Sequence, residues 1–506
     1  MTGDPFRLRP GTLTLQALWA LMAGDRAIAL EPAARGPIEA SAAVVQRIVA
    51  EGKTAYGINT GFGSLAKTRI PAADVAELQR RLVLSHAAGT GPLLDDRLVR
   101  GIIIAKINGL ARGASGLRPA VIDALIAMVN AGIHPLIPAK GSVGASGDLA
   151  PLAHLSQGLI GIGEVRMGGQ LLPAADALAK AGIAPVKLEA KEGLALLNGT
   201  QVSAVLAAAG LEAASHVFNA ALLAGAMSLD AAAGSDAPFD PRIHALRGQP
   251  GQIEVAEVLL RLMRGSEIRA SHIEGDERVQ DAYSIRCQPQ VMGAILDMLR
   301  YAAGTVEREL NAVSDNPLVF ADTGEVVSGG NFHAEPVALA ADATAIALAE
   351  IGGISERRIA LLTDPRMSGL PAFLVPEPGL NSGFMMAHVT AASLASENKS
   401  LAHPATVDSL PTSANQEDHV SMATFAARRL LEMAENAGTI VGIELLAAAQ
   451  GIDLRRPLKS SPALEKAKAA VRAVAAFWDQ DRAMAPDIAA AKTLVLSGRF
   501  QPMRPY

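Results

Sequence analysis

One cysteine, Cys287, stands in a chain of 506 residues, so no disulfide can form within it. Such a chain suits a reducing compartment, and a cytoplasmic protein is expected. Aromatic residues make up only 3% while hydrophobic residues reach 50%, so the core must be aliphatic and alanine-rich. Basic residues do not dominate: 45 Lys and Arg against 50 Asp and Glu give a net charge of −5. With no basic run, nucleic acid is not an expected partner. Met1 to Arg7 contains no apolar stretch of the kind a secretory signal needs. None of the ten histidines forms a His-x-x-x-His pair, and Cys287 has no thiolate neighbour, so no metal site is expected. Gly61-Phe62-Gly63-Ser64-Leu65-Ala66 begins like a dinucleotide loop. However, Arg81 stands where an acidic ribose ligand is wanted, and Pro71 interrupts the helix that should follow. No Walker lysine motif appears, and Asp148 replaces the last glycine of a nucleophile elbow. No external cofactor is expected.

What is present is helical periodicity. Residues 74–86, 98–110 and 119–131 carry apolar positions at three- and four-residue spacing, and longer periodic segments cover 202–229, 289–312, 334–363, 383–401 and 420–450. Residues 161–187 read as strand or irregular chain, broken by Gly168-Gly169 and Pro173. The fold class is mainly α: a loop-rich N-terminal domain over 1–200 and a long-helix bundle over 201–506. Residues 202–229 are long and apolar enough for a membrane span, but alanine dominates and basic flanks are missing. A buried bundle helix is the better reading, with no membrane partner. Apolar faces this extensive predict a homo-oligomer.

One loop carries unusual chemistry. In Gly141-Ser142-Val143-Gly144-Ala145-Ser146-Gly147-Asp148, the Gly147 amide can reach the Ala145 carbonyl carbon if the loop is compressed. Glycine tolerates that crowding because it has no Cβ. Loss of water, including the Ser146 hydroxyl, would leave a methylidene-imidazolone, an electrophile made from the chain itself. Asp148 is the expected N-cap of the next helix, with Pro151 in its first turn.

These flanks resemble the histidine ammonia-lyase family, and the resemblance recurs in order along most of the chain. It covers Tyr56-Gly57-Ile58-Asn59-Thr60-Gly61-Phe62-Gly63, Leu84-Ser85-His86-Ala87-Ala88-Gly89, Leu197-Asn198-Gly199-Thr200-Gln201 and the segments 280–290, 330–336 and 413–419. It implies a fumarase/aspartase-like architecture, a homotetramer with sites shared between subunits, and elimination of ammonia from L-histidine to give trans-urocanate. The electrophile would come from Ala145, Ser146 and Gly147. Asn198 resembles the amide that binds its carbonyl oxygen. Tyr56 resembles the acceptor of the β-proton, with Tyr283 the second candidate. Arg286 resembles the clamp on the substrate carboxylate, Gln280 a supporting residue and Phe332 an aromatic wall. His86 and Glu417 would read the imidazole. Phenylalanine and tyrosine ammonia-lyases carry glutamine around Glu417, and a carboxylate facing a phenyl ring would be left unpaired. Ala282 departs from the family, which usually has proline before the tyrosine. Whether the amine or the imidazole attacks the electrophile stays open at this level, as does an aromatic lyase or aminomutase with the same electrophile.

Overall fold

Periodic apolar spacing becomes helix wherever it was read. Val75–His86 buries Val75, Gln79, Leu82 and Val83, one face at helical spacing, and carries His86 as its last residue. Asp96–Leu110 starts on Asp95, whose carboxylate accepts the Leu98 N–H at 2.7 Å. Every residue from Leu98 to Leu110 is buried. Its polar members find partners: Arg100 donates to Leu21 O and Val129 O, and Asn108 to Leu310 O. The long segments form Gln201–Ala231, Gln288–Leu310, Glu335–Thr363, Met385–Leu401 and Ala423–Leu454. The computed structural model describes all residues except 1–3, 25, 62, 64–66 and 277. The start of the N-terminal stretch, Phe62 of the Tyr56 motif and residues 64–66 of the rejected dinucleotide loop therefore lie outside the described residues.

The segment 161–187 is more ordered than its composition suggests. Glu164–Met167 and Gln170–Pro173 pair antiparallel, and Gly168 and Gly169 turn between them at φ +60° and +78°. Beyond Pro173 the alanine-rich Ala174–Lys180 is a helix rather than strand or irregular chain. Proline is well placed beside a helix start, and alanine has the highest helix propensity.

Two compact units divide the chain. The first comprises Met1–Ala209, Ala303–Asp342 and Pro404–Arg428; the second comprises Gly210–Ala302, Ala343–His403 and Arg429–Tyr506. All named strands belong to the first, in sheets of two or three short strands. The second unit is helical. Gly210 there lies where a Cβ would meet Leu430 Cβ at 2.6 Å, so the two helices approach to a distance that only glycine allows. At its centre Glu444 takes Arg358 through two bonds of 2.5 and 2.9 Å and accepts the hydroxyls of Ser228 and Ser355. Arg358 and Glu444 are fully buried, so removing either partner alone would strand a charge. Among the described residues, three helices are apolar and long enough to cross a membrane by composition, but 83% of the most apolar window of Gln201–Ala231 is buried within the fold.

Candidate active site

The loop 141–148 is pinned from several directions within the first unit. Ser421 donates its hydroxyl to Gly144 O at 2.8 Å, and Met422 N–H donates to Val143 O at 2.8 Å. Asp148 holds the N-cap position expected of it, but it does not cap the helix with its side chain. Its side chain makes no bond to its own helix, Leu149–Leu159. Instead the carboxylate accepts Ser203 N–H at 2.8 Å, Ser203 Oγ at 3.0 Å, Ser142 Oγ at 3.0 Å and Thr424 Oγ1 at 2.7 Å. Burial raises its pKa, while these hydrogen bonds pull the other way. Asp148 therefore ties the loop to the helices that begin at Gln201 and Ala423.

Gly147 sits at φ +68°, and a Cβ built there would lie 2.2 Å from Gly199 O. Only glycine fits both the left-handed backbone and the contact. Asp148 N–H donates to the same Gly199 oxygen at 2.7 Å. Ala145 is buried beside them. Asn198, just beyond the helix Glu192–Leu197, donates Nδ2–H to Ser146 O at 2.7 Å. Its Oδ1 is buried without a hydrogen-bond partner among the described residues. An unsatisfied buried polar atom costs roughly 1–3 kcal/mol, a cost more often kept at functional sites than elsewhere.

Glu417 reaches the loop from a strained turn. Thr412 and Glu417 exchange backbone bonds of 2.9 and 3.3 Å, and Ser413, Ala414 and Asn415 between them all have φ of +50° to +65°. Left-handed conformation costs a non-glycine residue about 1–2 kcal/mol, so the turn stores strain to present its side chain. Glu417 Oε1 accepts the Ser146 hydroxyl at 2.5 Å, and Oε2 accepts the Thr412 hydroxyl at 2.6 Å.

A cavity of about 1130 Å³ opens over this arrangement, lined by Tyr56, His86, Ala145, Ser146, Asn198, Phe332 and Glu417 among others. His86 Nδ1 lies 2.9 Å from Leu82 O and 3.0 Å from Ser85 Oγ. A carbonyl only accepts, so Nδ1 is assigned the proton and Nε2 is left as an acceptor. Burial lowers the His86 pKa, opposed by the Leu82 bond and by the charge of Glu417, and favours this neutral form. The Tyr56 hydroxyl accepts Gly63 N–H at 3.3 Å.

Among the lining residues not singled out from sequence are two histidines. His333 and His419 stack with ring centroids 5.8 Å apart, and His333 Nε2 bonds His419 O at 3.0 Å. Both stood inside motifs, but nothing in the spacing paired them. Gly147 is buried and is not among the lining residues. Gln280, Tyr283 and Arg286 belong to the second unit and are not among its lining residues. Tyr283 is 71% exposed, and the Arg286 guanidinium lies over its ring at 4.6 Å. Ala282 holds φ −59°, close to the angle that proline locks.

Known proteins match this chain over most of its length. It is 59% identical to a histidine ammonia-lyase of Rhodospirillum rubrum, over 99% of this chain and 98% of that one. A histidine ammonia-lyase of Aromatoleum aromaticum is 60% identical, over 97% and 94%. The crystal structure of histidine ammonia-lyase from Trypanosoma cruzi superposes with a TM-score of 0.91 at 43% identity, covering 98% of this chain and 94% of that one. The sequence profile of the aromatic amino acid lyases matches residues 13–473, the span that holds the loop 141–148, Asn198 and the Glu417 turn. A match of that extent leaves one conclusion: the chain belongs to the aromatic amino acid lyase family.

Proposed function

We propose that this chain removes ammonia from L-histidine to give trans-urocanate, the first step in degrading that amino acid. The Cα–N bond and one Cβ–H bond break, a Cα=Cβ double bond forms, and ammonia leaves. The observation that carries the reading is Glu417 and His86 in the cavity that contains Ser146. Both offer acceptors suited to an imidazole, and neither has a partner on a phenyl ring. The identity to histidine ammonia-lyases supports it.

The residues present fit a self-made methylidene-imidazolone. Gly147 N would bond to the Ala145 carbonyl carbon, and that oxygen would leave as water. Ser146 would lose its Cα hydrogen and hydroxyl as a second water. The bare Gly147, the buried Ala145 and the Asn198 bond to Ser146 O suit that closure. Once present, the group supplies an electrophile that side chains lack. Asn198 holds and polarises its oxygen. Tyr56 accepts the β-proton, with Tyr283 the second candidate, and Phe332 forms a wall beside the substrate. Loss of the Ser146 hydroxyl frees Glu417 Oε1 to take the imidazole N–H. The single cysteine fits a cytoplasmic setting.

Glu417→Gln tests the substrate. It keeps shape and loses a charge-assisted hydrogen bond of about 1.5–3 kcal/mol, so kcat/KM for histidine should fall roughly 10- to 150-fold. Phenylalanine leaves the wild-type carboxylate unpaired and should be hurt far less. An unchanged ratio of kcat/KM for the two substrates would return the aromatic lyase and aminomutase readings to the front.

Arg286, Tyr283 and Gln280 complete the cavity when copies assemble into a tetramer, with Arg286 clamping the substrate carboxylate. Supporting this, the second unit exposes apolar side chains on its helices: Ile346 at 38%, Met386 at 63% and Val389 at 52%. Ser146→Ala and Arg286→Ala homo-oligomers should each be nearly inactive. Co-expressed, the two variants should recover activity, because some sites draw their intact loop and intact arginine from different copies. Mixed assemblies with no gain over either parent would show that each site is built from one chain.

A further inference from the structure

Lys106 is among the largest fully buried side chains of the protein, at 1% exposure. It points from the helix Asp96–Leu110 into the turn that follows Asn198. Its ammonium donates to Asn198 O at 2.6 Å and to Gln201 Oε1 at 3.3 Å. Nearby Lys191 is treated differently: it pairs with Asp315 at 2.8 Å, and Ser115 holds the other carboxylate oxygen at 2.8 Å. The oxygens recorded on Lys106 are neutral ones. Burial lowers its pKa to about 7, with Lys191 adding repulsion and Asp315 and Asp148 opposing it. A buried ammonium held by neutral oxygens is costly, and an apolar side chain would fill the space without that cost.

The turn it grips has two contacts with the loop 141–148. Asn198 Nδ2 donates to Ser146 O at 2.7 Å, and Gly199 O accepts Asp148 N–H at 2.7 Å. Gln201 is itself anchored, with Nε2 donating to Ser314 Oγ at 3.0 Å. Lys106 thus holds the first and last residues of Asn198-Gly199-Thr200-Gln201. We propose that Lys106 is a positioning residue: it clamps this turn so that the Asn198 amide meets the Ser146 carbonyl oxygen in the geometry that polarises the electrophile. The inference rests on the electrophile of the proposed function but not on its substrate.

Lys106→Met is the test, with wild type measured in parallel. A misplaced polarising donor affects the transition state more than substrate binding, and displacements near 1 Å can cost about 100-fold. Histidine turnover should show kcat lowered roughly 10- to 100-fold with KM within about twofold. The absorbance of the pure protein near 300 nm should also move, since the amide acts on the electrophile's own carbonyl. That readout needs no substrate, so it still decides the question if the wild type does not turn over histidine. A folded Lys106→Met chain with unchanged kcat and spectrum, or with a loss carried by KM alone, overturns the proposal. Gln201→Leu removes one gripped oxygen and keeps the lysine. If Lys106→Met does not fold, Gln201→Leu should move kcat and spectrum in the same direction, and no change in either would overturn the proposal.

Discussion

Ser146→Ala is expected to give a folded chain of full encoded mass with almost no turnover of histidine. The wild type should be lighter than its encoded mass by two waters and absorb near 300 nm, and both signatures should vanish in the variant. The methylidene carbon is the Ser146 Cβ, and alanine has no hydroxyl to lose. The effect should exceed the roughly 100- to 1000-fold that a single oxyanion donor contributes, because the electrophile itself is missing. Stability should change little. Before ring closure the hydroxyl donates one hydrogen bond, to Glu417 Oε1, and the matured wild type would have lost that hydroxyl too, so the variant forfeits no bond that the mature wild type keeps. An intact mass in the wild type would remove the self-made electrophile from the mechanism.

Gly147→Ala should be as damaging for a different reason. In the proposed ring closure Ser146 would supply atoms of the electrophile, while Gly147 would supply the room. A methyl group at 147 would lie 2.2 Å from Gly199 O on a backbone of φ +68°. The left-handed conformation costs alanine about 1–2 kcal/mol, and the clash forces the loop or the Asn198 turn to shift. Either shift parts the Gly147 nitrogen from the Ala145 carbonyl, so the two-water deficit should fail to develop and activity should be lost with it. Gly132→Ala is the control. Gly132 has φ +64° but nothing within 4 Å of a built Cβ, so it carries the backbone cost without the clash. It should lose some stability and mature normally. Complete maturation of Gly147→Ala would show that compression at this contact does not govern the ring closure.

Much of the fold was legible because helices are local. Apolar spacing along the chain placed 334–363 and 383–401 within two residues of Glu335–Thr363 and Met385–Leu401. The same holds for Ala145-Ser146-Gly147 as a run of small residues, a property of adjacent positions, although the Gly199 oxygen that excludes a Cβ at 147 comes from a turn distant in sequence. Asp148 shows where local reasoning fails. Its neighbours in sequence argue for a helix cap, yet its carboxylate binds Ser203 and Thr424, which are 55 and 276 residues away. Burial makes three hydrogen bonds from distant helices and one from Ser142 a better use of that carboxylate than one exposed cap.

The sequence by itself determined the helices, the aliphatic core and the residues from which an electrophile can be made. Only the tertiary structure decided what surrounds that loop. Glu417 meets Ser146 across 271 residues, and Lys106 meets Asn198 across 92. Neither pairing leaves a trace in composition or periodicity, because each arises where separately formed elements pack and their polar groups must find partners out of water.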